Sequence, residues 1–311
     1  MSTVVDATSL GRWYGQVVGL NDLTVRIDGG VTGLIGPNGA GKSTFMKLLV
    51  GEIRPSRGSI TVLGRTPFAN RELFREVGFC PQQDALYDHM SGLEFVETLL
   101  RLTGYPRREA QAKARRALER VQLEEHMERR VGGYSKGMRQ RMRLAQAIAH
   151  DPVLLVADEP LTGLDPLVRH RVLELFRELG EAGTHVLVSS HVLHEVESLT
   201  ERIVLIHRGR LLAQGSVREV RKLLSRHPRQ VRIRARKPRE LACHLLARSD
   251  VRAARLEEEH PDGSGRLSVE THDVEGLFRG LAETVAELRP GMQALESPDA
   301  NLEAVFDYLV Q

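Results

Sequence analysis

At 311 residues the chain is long enough for about two domains, at roughly 150 residues each. Its hydrophobic fraction of 41% and charged fraction of 27% are those of a globular protein and exclude disorder as the default, and a formal net charge of +3 is too small to require nucleic acid as a partner. No run approaches the roughly 18 consecutive apolar residues of a membrane span, and Met1 to Leu10 lacks the basic-then-apolar pattern of a secretory signal, so a cytosolic protein is expected.

In chain order, Val4 to Leu10 and Leu23 to Ile27 read as short strands joined through Gly15 and Gly19. Val31 to Ile35 is an apolar strand running straight into Gly36, and Phe45 to Val50 continues as a helix after Lys42. Arg107 to Val121, rich in Ala, Arg and Glu without Gly or Pro, is a helix, and Met138 to His150 is another, closed by Asp151-Pro152. Val153 to Ala157 is a continuous apolar run, the pattern of a strand buried on both faces of a parallel sheet. Thr184 to Ser189 repeats that pattern and Ile203 to His207 is close to it, with helical stretches at Pro166 to Glu181 and Leu193 to Leu199. Strands alternating with helices predict an α/β domain over residues 1–215. The two cysteines, Cys80 and Cys243, have no metal-like spacing and suit a reducing compartment as inert thiols.

From Ser216 the texture changes. Between Arg218 and Arg239 there are ten Lys or Arg residues against one acid, Glu219. Two readings stay open: a stretch near anionic lipid headgroups, or a solvated linker followed by the outer face of a strand, which the charge pattern favours. Val231 to Ala235 alternates apolar residues with Arg as a half-exposed strand does. Arg239 to Ala247 reads as helix, Val251 to Glu257 and Arg266 to Thr271 as extended with a turn at Pro261-Asp262-Gly263. Val274 to Leu288 is helical, Met292 to Leu295 extended and Leu302 to Val310 helical. The order β-α-β-β-α-β predicts a small α+β accessory domain over 216–311 with the ferredoxin-like split βαβ pattern.

Gly36-Pro37-Asn38-Gly39-Ala40-Gly41-Lys42-Ser43 fits G-x-x-x-x-G-K-[ST] at every fixed position, between a strand and a helix. The glycines, Gly39 and Gly41 among them, let backbone N–H groups of the loop cradle phosphate oxygens, and the following helix directs its positive end at them. Lys42 reaches the terminal phosphates, and the Ser43 hydroxyl can ligate Mg²⁺; Asn38 and Thr44 flank the same site. Farther on, Leu154 to Ala157 emerges into Asp158-Glu159. Asp158 is placed to hold the Mg²⁺ water shell and Glu159 to polarise an attacking water. Ala157 is smaller than the bulky aliphatic expected before such a pair.

Further segments carry a specific resemblance. Tyr134-Ser135-Lys136-Gly137-Met138-Arg139-Gln140-Arg141 resembles the signature motif of ABC ATPases, and it precedes the acidic pair as in that family. Thr162-Gly163-Leu164-Asp165-Pro166 resembles the D-loop, His191 the switch histidine, and Gln82 in Gly78-Phe79-Cys80-Pro81-Gln82 the Q-loop glutamine. Tyr14 sits where the family stacks an aromatic on adenine, with Trp13 beside it as the other candidate. The Tyr-Ser-Lys-Gly-Met form, with Lys136 where many relatives carry glycine, and the ending Asn301-Leu302-Glu303-Ala304-Val305-Phe306 resemble the drug- and antibiotic-export branch of ABC transporter ATP-binding subunits. Leu161 stands where the family usually has a small hydroxyl residue.

The resemblance implies a P-loop ABC ATPase domain with a helical subdomain, binding ATP and Mg²⁺. Glu159, His191 and Gln82 are then catalytic, and Ser43, Gln82 and Asp158 hold the metal. Ser135 and Gly137 belong to a head-to-tail homodimer in which they close on the partner's nucleotide, with Asp165 at the same site. A separate multi-span permease is implied on the cytosolic face of the membrane, contacted by the segment from Gln82 to Phe95, with no nucleic acid. The competing class is a soluble ABC ATPase acting on DNA or ribosomes, which usually carries a long coiled-coil insertion or two ATPase domains; a simple P-loop kinase is disfavoured by the signature and D-loop segments. The accessory domain supports dimerisation, regulates activity or is structural padding, three readings that stay open because fold does not imply function.

Overall fold

A computed structural model describes residues 3–83, 85–220, 229–288 and 290–296. The expected helix at Leu302 to Val310, the Asn301–Phe306 ending and 221–228 of the basic run lie outside them. The chain divides into two compact units, Met1–Val217 and Arg218–Gln311.

The first unit opens with β1 (Thr3–Tyr14) and β2 (Val17–Asp28), an antiparallel hairpin closing at Tyr14 opposite Val17. Gly15, at φ 61°, makes its turn. Both strands are longer than expected, because Gly19 does not break β2. A Cβ there would lie 2.9 Å from the Tyr14 ring and 3.0 Å from Thr44 Oγ1, so the glycine serves a close approach rather than a turn. β3 (Val31–Ile35) leads through the glycine loop to α1 (Lys42–Leu49), and β4 (Arg57–Val62) returns beside β1 to give a three-stranded sheet in the order β2-β1-β4.

After the short α2 (Arg71–Phe74) and β5 (Val77–Cys80), three helices follow: α3 (Gly92–Leu102), α4 (Arg107–Arg120) and α5 (Lys136–Ile148). α3 was not among the expected elements, yet its start carries a capping box. Ser91 Oγ accepts from the Glu94 amide at 3.2 Å, while the Ser91 amide donates to Glu94 Oε2 at 2.8 Å. β6 (Leu154–Ala157), α6 (Pro166–Glu181), β7 (His185–Ser190), α7 (Leu193–Glu197), β8 (Arg202–His207) and β9 (Arg210–Ser216) complete the unit. They form a six-stranded sheet in the order β5-β6-β7-β3-β8-β9, parallel except for β9. β4, β5 and β9 also went unanticipated; β4 and β9 mix polar with apolar residues, and β5 has only four.

The central strands explain their own all-apolar sequence. Leu155 and Ala157 of β6 join the core shared with Phe95, Leu118, Met142 and Phe176 of the helices. Leu154 and Val156 point the other way, into a core with Leu10, Phe45 and Leu48. A strand covered on both faces has no polar side to present.

The second unit contains β10 (Arg229–Ala235), α8 (Pro238–Leu246), β11 (Val251–Glu259), β12 (Gly265–Thr271), α9 (Val274–Leu288) and β13 (Met292–Glu296). Its sheet runs β11-β12-β10-β13 with every pairing antiparallel. Val231, Ile233, Leu241, Leu267 and Leu277 are fully buried in a core of its own, while the alternating Arg234 is exposed, as its period of two requires. Among the described residues no helix is long and apolar enough to cross a membrane.

Two outcomes follow for the first unit. A Cβ at Gly78 of β5 would collide with the backbone carbonyl of Ala147 in α5, so Gly78→Ala should lower stability by about 1–3 kcal/mol in urea unfolding. Burial pushes the fully buried Cys80 thiol up to about 12, whereas Cys243 is exposed. Because the thiolate is the reactive form, a colorimetric thiol titration of the folded protein at pH 8 should count Cys243 alone, and both cysteines in denaturant.

Candidate functional site

The C-terminal ends of β3, β6 and β7 are neighbours, and the site is built on them. After β3 the chain turns through Gly39 at φ 76° and Gly41 at φ 106°, left-handed positions that suit glycine. α1 then starts with no side-chain cap at Gly41, leaving first-turn amides open to an anion. Lys42, only 6% exposed, folds back onto the loop. Its Nζ donates to Gly36 O at 2.6 Å and Pro37 O at 3.2 Å.

After β6 come Asp158 and Glu159, both buried. Asp158 N donates to Cys80 O at 2.8 Å. Ser189, at the end of β7, donates from Oγ to Asp158 Oδ1 at 2.7 Å and accepts from the Glu159 amide at 2.8 Å. Glu159 holds φ 49°, a left-handed conformation for a non-glycine residue, at a cost on the order of 1 kcal/mol or more. That turn aims its carboxylate across the sheet end. Oε1 lies 3.3 Å from Lys42 Nζ, within ion-pair reach but outside hydrogen-bond geometry. Oε2 lies 2.9 Å from His191 Nδ1 and accepts from Thr162 Oγ1 at 3.3 Å. The carboxylate thus meets a cation on one oxygen and an imidazole on the other.

Two adjoining cavities meet here. One, of about 280 Å³, is lined by Tyr14, Gly19, the loop from Asn38 to Thr44, Gln82 and Glu159. The other, of about 560 Å³, shares Tyr14, Ser43, Thr44 and Gln82 and adds Asp158. Tyr14 is 43% exposed, and the Arg12 guanidinium lies 4.8 Å from its ring centroid. Trp13 lines neither cavity; its indole packs over Gly11.

Ser43, Gln82 and Asp158, which carry a hydroxyl, an amide and a carboxylate, all line the larger cavity. These are hard oxygen donors with a single carboxylate, the chemistry of a Mg²⁺ that keeps waters and phosphate oxygens as its remaining ligands. Among the described residues no cluster of three or more His, Cys, Asp or Glu competes as a metal site.

Three expected residues stand apart. Ser135, Gly137 and Asp165 line neither cavity. Ser135 caps α5, its Oγ accepting from Met138 N at 3.3 Å, and Asp165 precedes α6. Sequence reasoning also missed Ser189 and Thr162, which hold the two carboxylates. The legible signal for Ser189 was a polar residue following the apolar run Val186 to Val188, two positions before His191. Leu161, unusual for its place, is 2% exposed and part of the helical-side core.

A family model for ABC transporters matches residues 20–162. An uncharacterized ABC transporter ATP-binding protein of Nostoc sp. is 39% identical over 214 residues, 68% of this chain and 64% of its own length. The chain spans 60 to 64% of the length of the first curated relatives it matches. Nod factor export ATP-binding protein I of Bradyrhizobium diazoefficiens is 34% identical over 277 residues, 80% of this chain and 90% of that protein. Among solved structures, an ATP-binding subunit of an ABC transporter superposes with a TM-score of 0.65 at 30% identity, covering 71% of this chain and 93% of that one.

Removing one member of a buried ion pair strands the other charge, at about 3 kcal/mol or more. Lys42→Met should therefore destabilise the nucleotide-free protein by about that amount, and adding Glu159→Gln should recover most of it. Urea melts of the single and double variants measure both.

Proposed function

The chain belongs to the ABC transporter family of ATP-binding proteins, and from that premise we propose that it binds and hydrolyses ATP to power a separate membrane permease, as an export subunit. The observation that carries this reading is the convergence of a phosphate loop, an acidic pair and a glutamine on one pair of cavities, with a histidine on the Glu159 carboxylate and an aromatic at the rim. Tyr14 stacks the adenine, and Asn38, Gly39, Gly41, Lys42, Ser43 and Thr44 hold the phosphates.

Ser43, Gln82 and Asp158 would hold Mg²⁺, which when bound neutralises charge on the phosphate oxygens. In the free chain Lys42 faces both the loop carbonyls and Glu159. Phosphate oxygens draw Nζ onto themselves, which frees Glu159 Oε1 to accept a proton from a water aligned with the γ-phosphate. His191 holds Oε2 and thereby the direction of the carboxylate. Catalysis of this kind is mostly positioning and charge stabilisation.

Ser135, Gly137 and Asp165 stand off their own chain's cavities, which supports a head-to-tail homodimer where they close on the partner's nucleotide. Loss of the γ-phosphate then reopens it. The match to a protein named for Nod factor export supports the export reading. A chain with no membrane-crossing helix among its described residues acts from the cytosolic face, with residues 82–95 toward the permease. The ATPase domain takes 1–215 and the accessory domain 216–311, close to the division of the two units at Val217. The sheet order β11-β12-β10-β13 with its two helices supports a ferredoxin-like assignment for the second.

Glu159→Gln keeps the size of the side chain and removes the base. Turnover should fall about 100-fold or more, while ATP-dependent dimerisation, read by size exclusion with light scattering, persists. Turnover at the native rate would remove Glu159 from the mechanism.

A further inference from the structure

Arg143, on the second turn of α5, is 8% exposed, and among the described residues no carboxylate lies within ion-pair distance of it. Its guanidinium is instead held by neutral oxygens. Nη1 donates to Pro81 O at 3.1 Å and also to Gln82 O, and Nη2 donates to Gln140 Oε1. Nε is buried with no acceptor. Gln140, one helical turn earlier and 3% exposed, passes the contact on: its Nε2 donates to Pro160 O at 2.8 Å.

A buried charge without a counter-ion is costly, and apolar residues of similar volume usually serve stability as well or better. The placement therefore calls for a role other than packing. The links run unbroken from the backbone of Gln82, which lines both cavities, through Arg143 and Gln140 to Pro160, the residue following Glu159. Both side chains stand on α5, the helix that Ser135 caps.

We infer that Arg143, with Gln140, is a positioning pair that sets Gln82 against the bound metal and holds the turn carrying Asp158 and Glu159, so that the register of α5 is transmitted to both. The inference rests on the proposed reading of Gln82 as a metal ligand and Glu159 as the base. Arg143 lines neither cavity; it acts through the carbonyls of Pro81 and Gln82 and through the amide of Gln140.

The test uses the full chain loaded with a non-hydrolysable ATP analogue and titrated with Mn²⁺, alongside steady-state ATPase kinetics. Arg143→Met should lower kcat about 10- to 100-fold, the scale of a small misplacement of reacting groups, with KM for ATP changed no more than about twofold. Mn²⁺ affinity should fall as it does in Gln82→Ala, and the double variant should bind Mn²⁺ no more weakly than Gln82→Ala alone, because both act on one contact. Arg143→Lys, whose ammonium still reaches a carbonyl, should recover part of the loss. If Arg143→Met does not fold, Gln140→Leu and Arg143→Lys carry the same measurements. Mn²⁺ affinity at the native level in these variants, or effects of the 82 and 143 substitutions that multiply, would overturn the inference. Unchanged Mn²⁺ affinity in Gln82→Ala itself would instead remove the metal reading of Gln82, and the positioning pair with it.

Discussion

Two opposite charges, Lys42 and Glu159, each 6% exposed, face one another at 3.3 Å, and much of the first unit is arranged to make that possible. Neither charge is tolerable there alone, since desolvation costs several kcal/mol per ion. Their meeting depends on the strand order. β7 lies between β6 and β3, so the acidic pair and the phosphate loop emerge from the same edge of a parallel sheet with one strand between them. That intervening strand supplies Ser189, which ties down both carboxylate residues, and the chain just beyond it supplies His191. Ligand sites of open α/β sheets gather at the carboxyl ends of the strands, and here that edge holds the Lys42–Glu159 charge pair.

The same site stores strain. The left-handed turn at Glu159 is held by its own amide bond to Ser189 and by the carboxylate contacts beyond it. Lys42 spends its donors on two loop carbonyls, which are weaker partners for an ammonium than phosphate oxygens. A polyphosphate therefore offers the lysine a better partner and the carboxylate a different neighbour. The uncapped N-terminus of α1 and the glycine turns form the loop side of the site, while Gly19 lets Tyr14 approach Thr44 and close the rim. Arg12 behind the Tyr14 ring adds a cation–π contact, which holds an otherwise exposed aromatic in place.

The second unit is built by different rules. In β10 buried Val231 and Ile233 alternate with half-buried Arg232 and exposed Arg234, and one face of the unit's antiparallel sheet packs on two helices. Arg248 pairs with Asp250 at 2.7 Å, which holds that carboxyl below its usual range. Arg239 grips Glu259 through two hydrogen bonds. Much of the basic run is thus the outer side of a strand and the start of a helix, as the charge alternation suggested for its described part.

The sequence by itself determined what is encoded over a few adjacent residues. Gly36 to Ser43, Asp158-Glu159, the all-apolar β6 and the apolar run Val186 to Val188 of β7 were legible because turn conformation, capping and burial on both faces depend on local residue types. The capping box at Ser91 and Glu94 carried the same kind of local signal for α3, although that helix went unanticipated. Only the tertiary structure decided that Tyr14 and not Trp13 lines the cavities, that Lys42 turns toward Glu159, that Ser135, Gly137 and Asp165 line neither cavity, and that Arg143 reaches Gln82. These depend on which strands pair and which helix crosses them. Strand order is set by contacts between residues far apart in the chain, such as Ile35 with Ser190 and Cys80 with Ala157, and no local pattern specifies a partner at that distance.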